Sequence, residues 1–124
     1  MNTTTHSVLV RLTIPVAAVL AAVTLVASPA AAAKSACPSG AFCVWKEASY
    51  AGTIQVITKA DDYTKITLTS TKSYYNNRTK RTWYHATTDG SGSHVCLAAG
   101  ASGNSPSGWQ SAAKAAYPST VTSC

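Results

Sequence analysis

Trp45-Lys46-Glu47-Ala48-Ser49-Tyr50-Ala51-Gly52 decides how the chain is read. Two aromatics stand with four residues between them, a glycine follows two positions after the second, and the apolar run Phe42-Cys43-Val44 leads in. Trp83, Thr88 and Gly90 repeat the frame with an offset of 38, and Ser73 and Ser111 repeat that offset again. A folded hairpin explains such a pattern. The aromatic packs over the turn, and glycine takes a backbone conformation barred to other residues. A later serine hydrogen-bonds the turn from outside.

Around this frame, strand signals dominate. Thr53-Ile54-Gln55-Val56 and Lys65-Ile66-Thr67-Leu68-Thr69 alternate with period two. Apolar and aromatic runs occur at Phe42–Trp45, Ser73–Tyr75, Thr82–Tyr84 and His94–Leu97. Turn residues separate them at Ala51-Gly52, Asp61-Asp62, Asn76-Asn77, Asp89-Gly90 and Gly103-Asn104. Short strands at this spacing predict a sandwich or Greek-key barrel. One helical stretch is expected, Ser111–Tyr117, closed by Pro118.

Residues 1–33 differ in kind from the rest. Arg11, the apolar run Leu12–Ala27 and the exit Ser28-Pro29-Ala30-Ala31-Ala32-Ala33 describe a secretory signal peptide. A membrane span needs about 20 apolar residues, and this run is shorter and carries Pro15. Cleavage near Ala33 leaves residues 34–124 as a single secreted domain with no stable membrane anchor, expected to act as a monomer. That domain carries nine Lys and Arg against four Asp and Glu, and only ten Leu, Ile, Val and Phe. Three Trp and six Tyr must therefore supply most of its buried area. Its four cysteines read as two disulfides. The spacing favours Cys37–Cys43, with Pro38 and Gly40 turning the chain between them, and leaves Cys96 for Cys124. Zinc is disfavoured because no Cys-x2-Cys spacing or nearby histidine pair is present.

The opening Cys37-Pro38-Ser39-Gly40-Ala41-Phe42-Cys43-Val44-Trp45 with Tyr50-Ala51-Gly52, and the segment Ser73-Tyr74-Tyr75-Asn76-Asn77, resemble one group of secreted actinobacterial proteins. This is the peptidase inhibitor family typified by the Streptomyces metalloproteinase inhibitor. The Trp-x4-Tyr-x-Gly frame itself resembles the βγ-crystallin signature. The resemblance implies an all-β, crystallin-like Greek-key sandwich and no catalysis. It also implies inhibition of a secreted, thermolysin-like metallopeptidase by a substrate-like loop anchored through a disulfide. On that reading Val95, Cys96 and Leu97 form the inhibitory segment and the reactive bond is Cys96–Leu97. Such enzymes favour a bulky apolar residue just after the bond they cut, as Leu97 is. A disulfide at Cys96 stiffens the loop and lowers the ordering cost of binding. Apolar strand residues are ordinarily core, and that is the other reading of Val95–Leu97.

Other chemistry is thin. His85, Asp89 and His94 with Ser91 or Ser93 fall in a polar loop and its flanks, which need no catalytic or metal role to explain them. Glu47 is the only glutamate and has no carboxylate partner for acid–base work. The positions before Ser73 and Ser111 lack carboxylates for calcium. Neither a cofactor nor a metal is expected. Lys72, Arg78, Lys80 and Arg81, interleaved with Tyr74, Tyr75, Trp83 and Tyr84, offer an alternative function: binding an acidic cell-wall polymer. Nucleic acid is not an expected partner of an exported chain. A crystallin-like antimicrobial protein is the third class.

Overall fold

The structure, a computed structural model, describes residues 33–124. The proposed signal peptide lies outside the described residues except for Ala33. Eight strands follow in chain order: β1 Phe42–Trp45, β2 Ile54–Ile57, β3 Thr64–Lys65, β4 Ser73–Asn76, β5 Thr82–His85, β6 His94–Leu97, β7 Ser102–Asn104 and β8 Ala115–Pro118. They form two four-stranded sheets, in the orders β2–β1–β4–β7 and β3–β8–β5–β6, with every pairing antiparallel. Each half of the chain keeps three strands in its own sheet and lends its third, β3 or β7, to the other. This exchange is compatible with the crystallin-like Greek key.

Strand alternation sorts the side chains. Phe42, Val44 and Tyr74 meet Tyr84, Leu97 and Ala116 in the main core, together with Ile57, Ile66 and Ala113. Aromatic rings fill what few aliphatics cannot. Tyr84 packs edge-on to Phe42 at 5.7 Å and to Tyr74 at 6.2 Å, and stacks on Trp109 at 6.1 Å. Its hydroxyl meets Ser105 Oγ, and burial pushes the phenol far above its ordinary pKa. The opposite face of the first sheet carries a second cluster, Cys37, Ala41, Cys43 and Trp45, flanked by Tyr50 and Ile54. Disulfides join Cys37 to Cys43 and Cys96 to Cys124, the pairing the spacing favours.

The Ser111–Tyr117 helix does not form. Ala115–Pro118 is instead the strand β8, and the only helical turns among the described residues are 3₁₀ pieces at Lys34–Ala36 and Ala48–Tyr50. Alanine's helix propensity loses to packing. Ala116 lies opposite Tyr84 in the β5–β8 ladder and is fully buried beside it, a place that only a small side chain fits. The alternation at Lys65–Thr69 likewise gives only Lys65 to a strand, while Ile66 turns into the core.

The repeat is real in space but shifted. Lys46 N–H bonds Thr53 O and Ala86 N–H bonds Ser93 O, each at 2.9 Å, closing two eight-residue loops in matching positions. Trp45 stands opposite Ser73 as His85 stands opposite Ala115. The counterpart of Trp45 is thus His85, two residues past Trp83, and the counterpart of Gly52 is Gly92. In the first loop Ser73 Oγ accepts from Tyr50 N–H at 2.9 Å and donates to Glu47 O at 2.6 Å, the bond to the turn that the pattern anticipates. These bonds hold Ser49 and Tyr50 at positive φ, 55° and 60°. Ser111 plays no such part and lies in the exposed turn before β8.

One residue ties the two sheets. Asn76 is fully buried at the end of β4. Its amide nitrogen shares two hydrogens among Lys80 O at 2.9 Å, Leu97 O at 3.1 Å and Ala98 O at 3.0 Å, while its oxygen accepts from Thr82 Oγ1 at 3.2 Å. Asn76→Asp replaces those donors with a carboxylate facing three carbonyls. It should cost more than about 3 kcal/mol in urea unfolding, because buried unsatisfied groups carry their full desolvation penalty. Loop length ranks the disulfides. Replacing Cys96 and Cys124 by serine, which opens a separation of 28 residues, should cost about 3.5 kcal/mol. Opening Cys37–Cys43, with a separation of 6, should cost about 2 kcal/mol by the same chain-entropy measure, checked by thermal melting.

Candidate functional site

β6 is the edge strand of its sheet, paired with β5 along one side only. Alternation sends His94 and Cys96 outward and Val95 and Leu97 inward. Leu97 is 2% exposed and packs in the main core, with Val95 partly buried against it. Half-buried Cys96 is held to Cys124. The segment is thus an extended strand with one free edge, anchored at its end by the Asn76 bonds to Leu97 O and Ala98 O.

The loop leading into β6, residues 86–93, is internally braced. Asp89 accepts from Ser91 Oγ at 2.7 Å, Ser91 N–H at 3.0 Å and Thr87 Oγ1 at 2.7 Å. These bonds pull its carboxyl down to about pKa 2, those from Ser91 contributing most. Gly90 sits at φ 82°, and a Cβ there would overlap the Tyr63 ring. Tyr63, which no sequence signal marks, thereby closes over the loop and packs edge-on to His85 at 5.0 Å. Trp83 faces outward, between Arg81 above its ring at 5.0 Å and His94 at 5.1 Å.

The basic residues divide. Lys72 precedes β4 and pairs with Glu47 at 3.1 Å. Arg78, Lys80 and Arg81 follow β4 and hold the C-terminal tail. Arg78 donates to Arg81 O at 2.9 Å, Thr82 Oγ1 at 3.1 Å and Ser119 O at 2.7 Å. Partial burial lowers the pKa of its guanidinium. Lys80 Nζ donates to Thr122 Oγ1 at 3.0 Å, and Arg81 donates to Ser123 O. Three of the four cations are therefore occupied in tethering the segment that ends in Cys124, and the fourth lies at the other end of β4.

His85 and His94 face each other across β5 and β6, with Asp89 turned into its own loop. Among the described residues no group of three His, Cys, Asp or Glu is placed to hold a metal ion, and no pocket is present. Fold and site together define a small disulfide-stapled β domain with an open strand edge at β6. A family model described as peptidase inhibitor family I36 matches residues 30–97, more than half of the chain, and ends on the last residue of β6. The chain belongs to that family. Neither a curated protein nor a solved structure matches it.

Arg78 joins β5 to the tail through a fork of hydrogen bonds that a lysine cannot reproduce. Arg78→Ala should cost about 2–3 kcal/mol, since bonds from a charged donor exceed neutral ones, and Arg78→Lys should recover less than half of the loss. Differential scanning calorimetry of the two variants measures this.

Proposed function

We propose that the protein is a secreted inhibitor of thermolysin-like metallopeptidases, which engages its target through Val95–Cys96–Leu97. The observation that carries the reading is the edge position of β6 in a chain of an inhibitor family. Peptidases bind substrates as extended strands, and β6 is already extended with one side of its backbone unpaired. Two disulfides and the leader-like residues 1–33 support an extracellular location.

The burial of Leu97 sets a condition on this mechanism. Its side chain enters a peptidase pocket only if the end of β6 turns out of the core, at a cost of about 1.5–3 kcal/mol for exposing a leucine. The target's own apolar pocket returns a similar amount. Cleavage of Cys96–Leu97 would leave both fragments joined through Cys96–Cys124, so that the cut chain stays one molecule. An inhibitor of this kind is cut slowly and stays bound.

The oxidised protein should inhibit a thermolysin-like metallopeptidase at one-to-one stoichiometry and leave a subtilisin-like serine peptidase active. Mass spectrometry of the acid-quenched complex should find a fraction heavier by one water, which separates on reduction into chains ending at Cys96 and starting at Leu97. A folded protein that inhibits neither enzyme, or that is cut elsewhere, overturns the reading.

A further inference from the structure

His85 and His94 are directly opposed in the β5–β6 ladder, with ring centroids 5.7 Å apart. The neighbouring bond from Ala86 N–H to Ser93 O makes theirs a non-hydrogen-bonded position, where facing side chains approach most closely. His85 is enclosed. Only 7% of it is exposed, and its Nδ1 is buried with no hydrogen-bond partner. Tyr63 packs against it from the chain before β3, Tyr117 from β8 at 6.4 Å, and His94 from β6.

No anion balances this pair. Neither imidazole makes an ion pair among the described residues. The Asp61 carboxylate is engaged by the Tyr117 hydroxyl, Asp62 pairs with Lys59, and Asp89 is bonded to Ser91 and Thr87. From the β8 side the nearest charged residue is Lys114, whose backbone N–H bonds His85 O and whose Nζ reaches Ser111 O. A second positive charge on the pair would find repulsion and an enclosed, ring-lined site.

We infer that the opposed histidines make the β5–β6 hairpin a pH-sensitive element, paired at neutral pH and loosened in mild acid. Burial, followed by the neighbouring His94, lowers the pKa of His85 from its ordinary 6.5, outweighing a backbone hydrogen bond at Gly90 that favours the charged ring. The folded hairpin therefore holds fewer protons than the open one. Its stability is whole above about pH 6.5 and is lost as pH falls through the depressed folded value. Loosening begins at the hairpin because β6 has no second neighbour to hold it. This inference does not depend on which peptidase, if any, β6 engages.

Amide hydrogen exchange read by NMR tests it, with Val95 reporting on opening of the hairpin and Val44 in the central strand β1 reporting on unfolding of the whole domain. Between about pH 7.5 and pH 5, a window in which imidazoles titrate, Val95 protection should fall several-fold while staying below that of Val44, the mark of a hairpin that opens before the domain does. His94→Gln, at an exposed position that tolerates the change, should shrink that fall, and His85→Gln should remove it. Val95 protection that equals that of Val44, or that does not change with pH, overturns the inference, as does a full pH response that persists in His94→Gln. Absence of peptidase inhibition at every pH would touch only the proposed function.

Discussion

The side-chain amide of Asn76 is the contact on which the two sheets depend. β4 ends in the first sheet and β5 begins in the second, so the chain must cross between layers over five residues. Carbonyls at that crossing would be stranded in a low-dielectric corner, where each unpaired group is costly. Asn76 satisfies Lys80 O on the crossing itself and Leu97 O and Ala98 O from the end of β6. Its own backbone pairs with Ala101 and Gly100 at the approach to β7. One residue thus fixes where the layers part, where the edge strand stops and where the exchanged strand enters.

The aromatic core follows from composition. A domain with ten Leu, Ile, Val and Phe must bury large rings, and Tyr84, Phe42, Tyr74 and Trp109 interlock around one another. Such rings leave room beside them only for small residues, and this is why β8 carries alanine opposite Tyr84. The same rule explains Gly90, over which the Tyr63 ring lies.

Much of the fold was legible in the chain because runs of apolar and aromatic residues carry their own period. Phe42–Trp45 and His94–Leu97 are strands at the expected bounds, and the local cysteine spacing anticipates its disulfide. The second hairpin was misaligned by two residues because Trp83 imitates Trp45, whereas register puts His85 there. Sequence alone does not reveal that a tryptophan faces outward. Nor does it show that Asn76 is a buried strand end rather than a turn residue, since asparagine is common in both and only the crossing of two layers decides. The contacts of the basic cluster were hidden in a related way. Arg78, Lys80 and Arg81 are close in sequence, but the carbonyl and hydroxyl oxygens they hold include ones from a tail some forty residues away.

The exchange of β3 and β7 bears on how the molecule comes into being. The first sheet lacks its outer strand until residues 102–104 arrive, and the second lacks its centre until residues 115–118 pair with Thr82–His85 and Thr64–Lys65. Neither half can be finished from its own residues. Growth from one end therefore offers no stopping point at a half-built domain, and the ordering of the chain is deferred until nearly all of it is present. Long-range pairing of this kind folds slowly compared with local structure. Such a chain remains threadable for longer than one made of two self-sufficient halves.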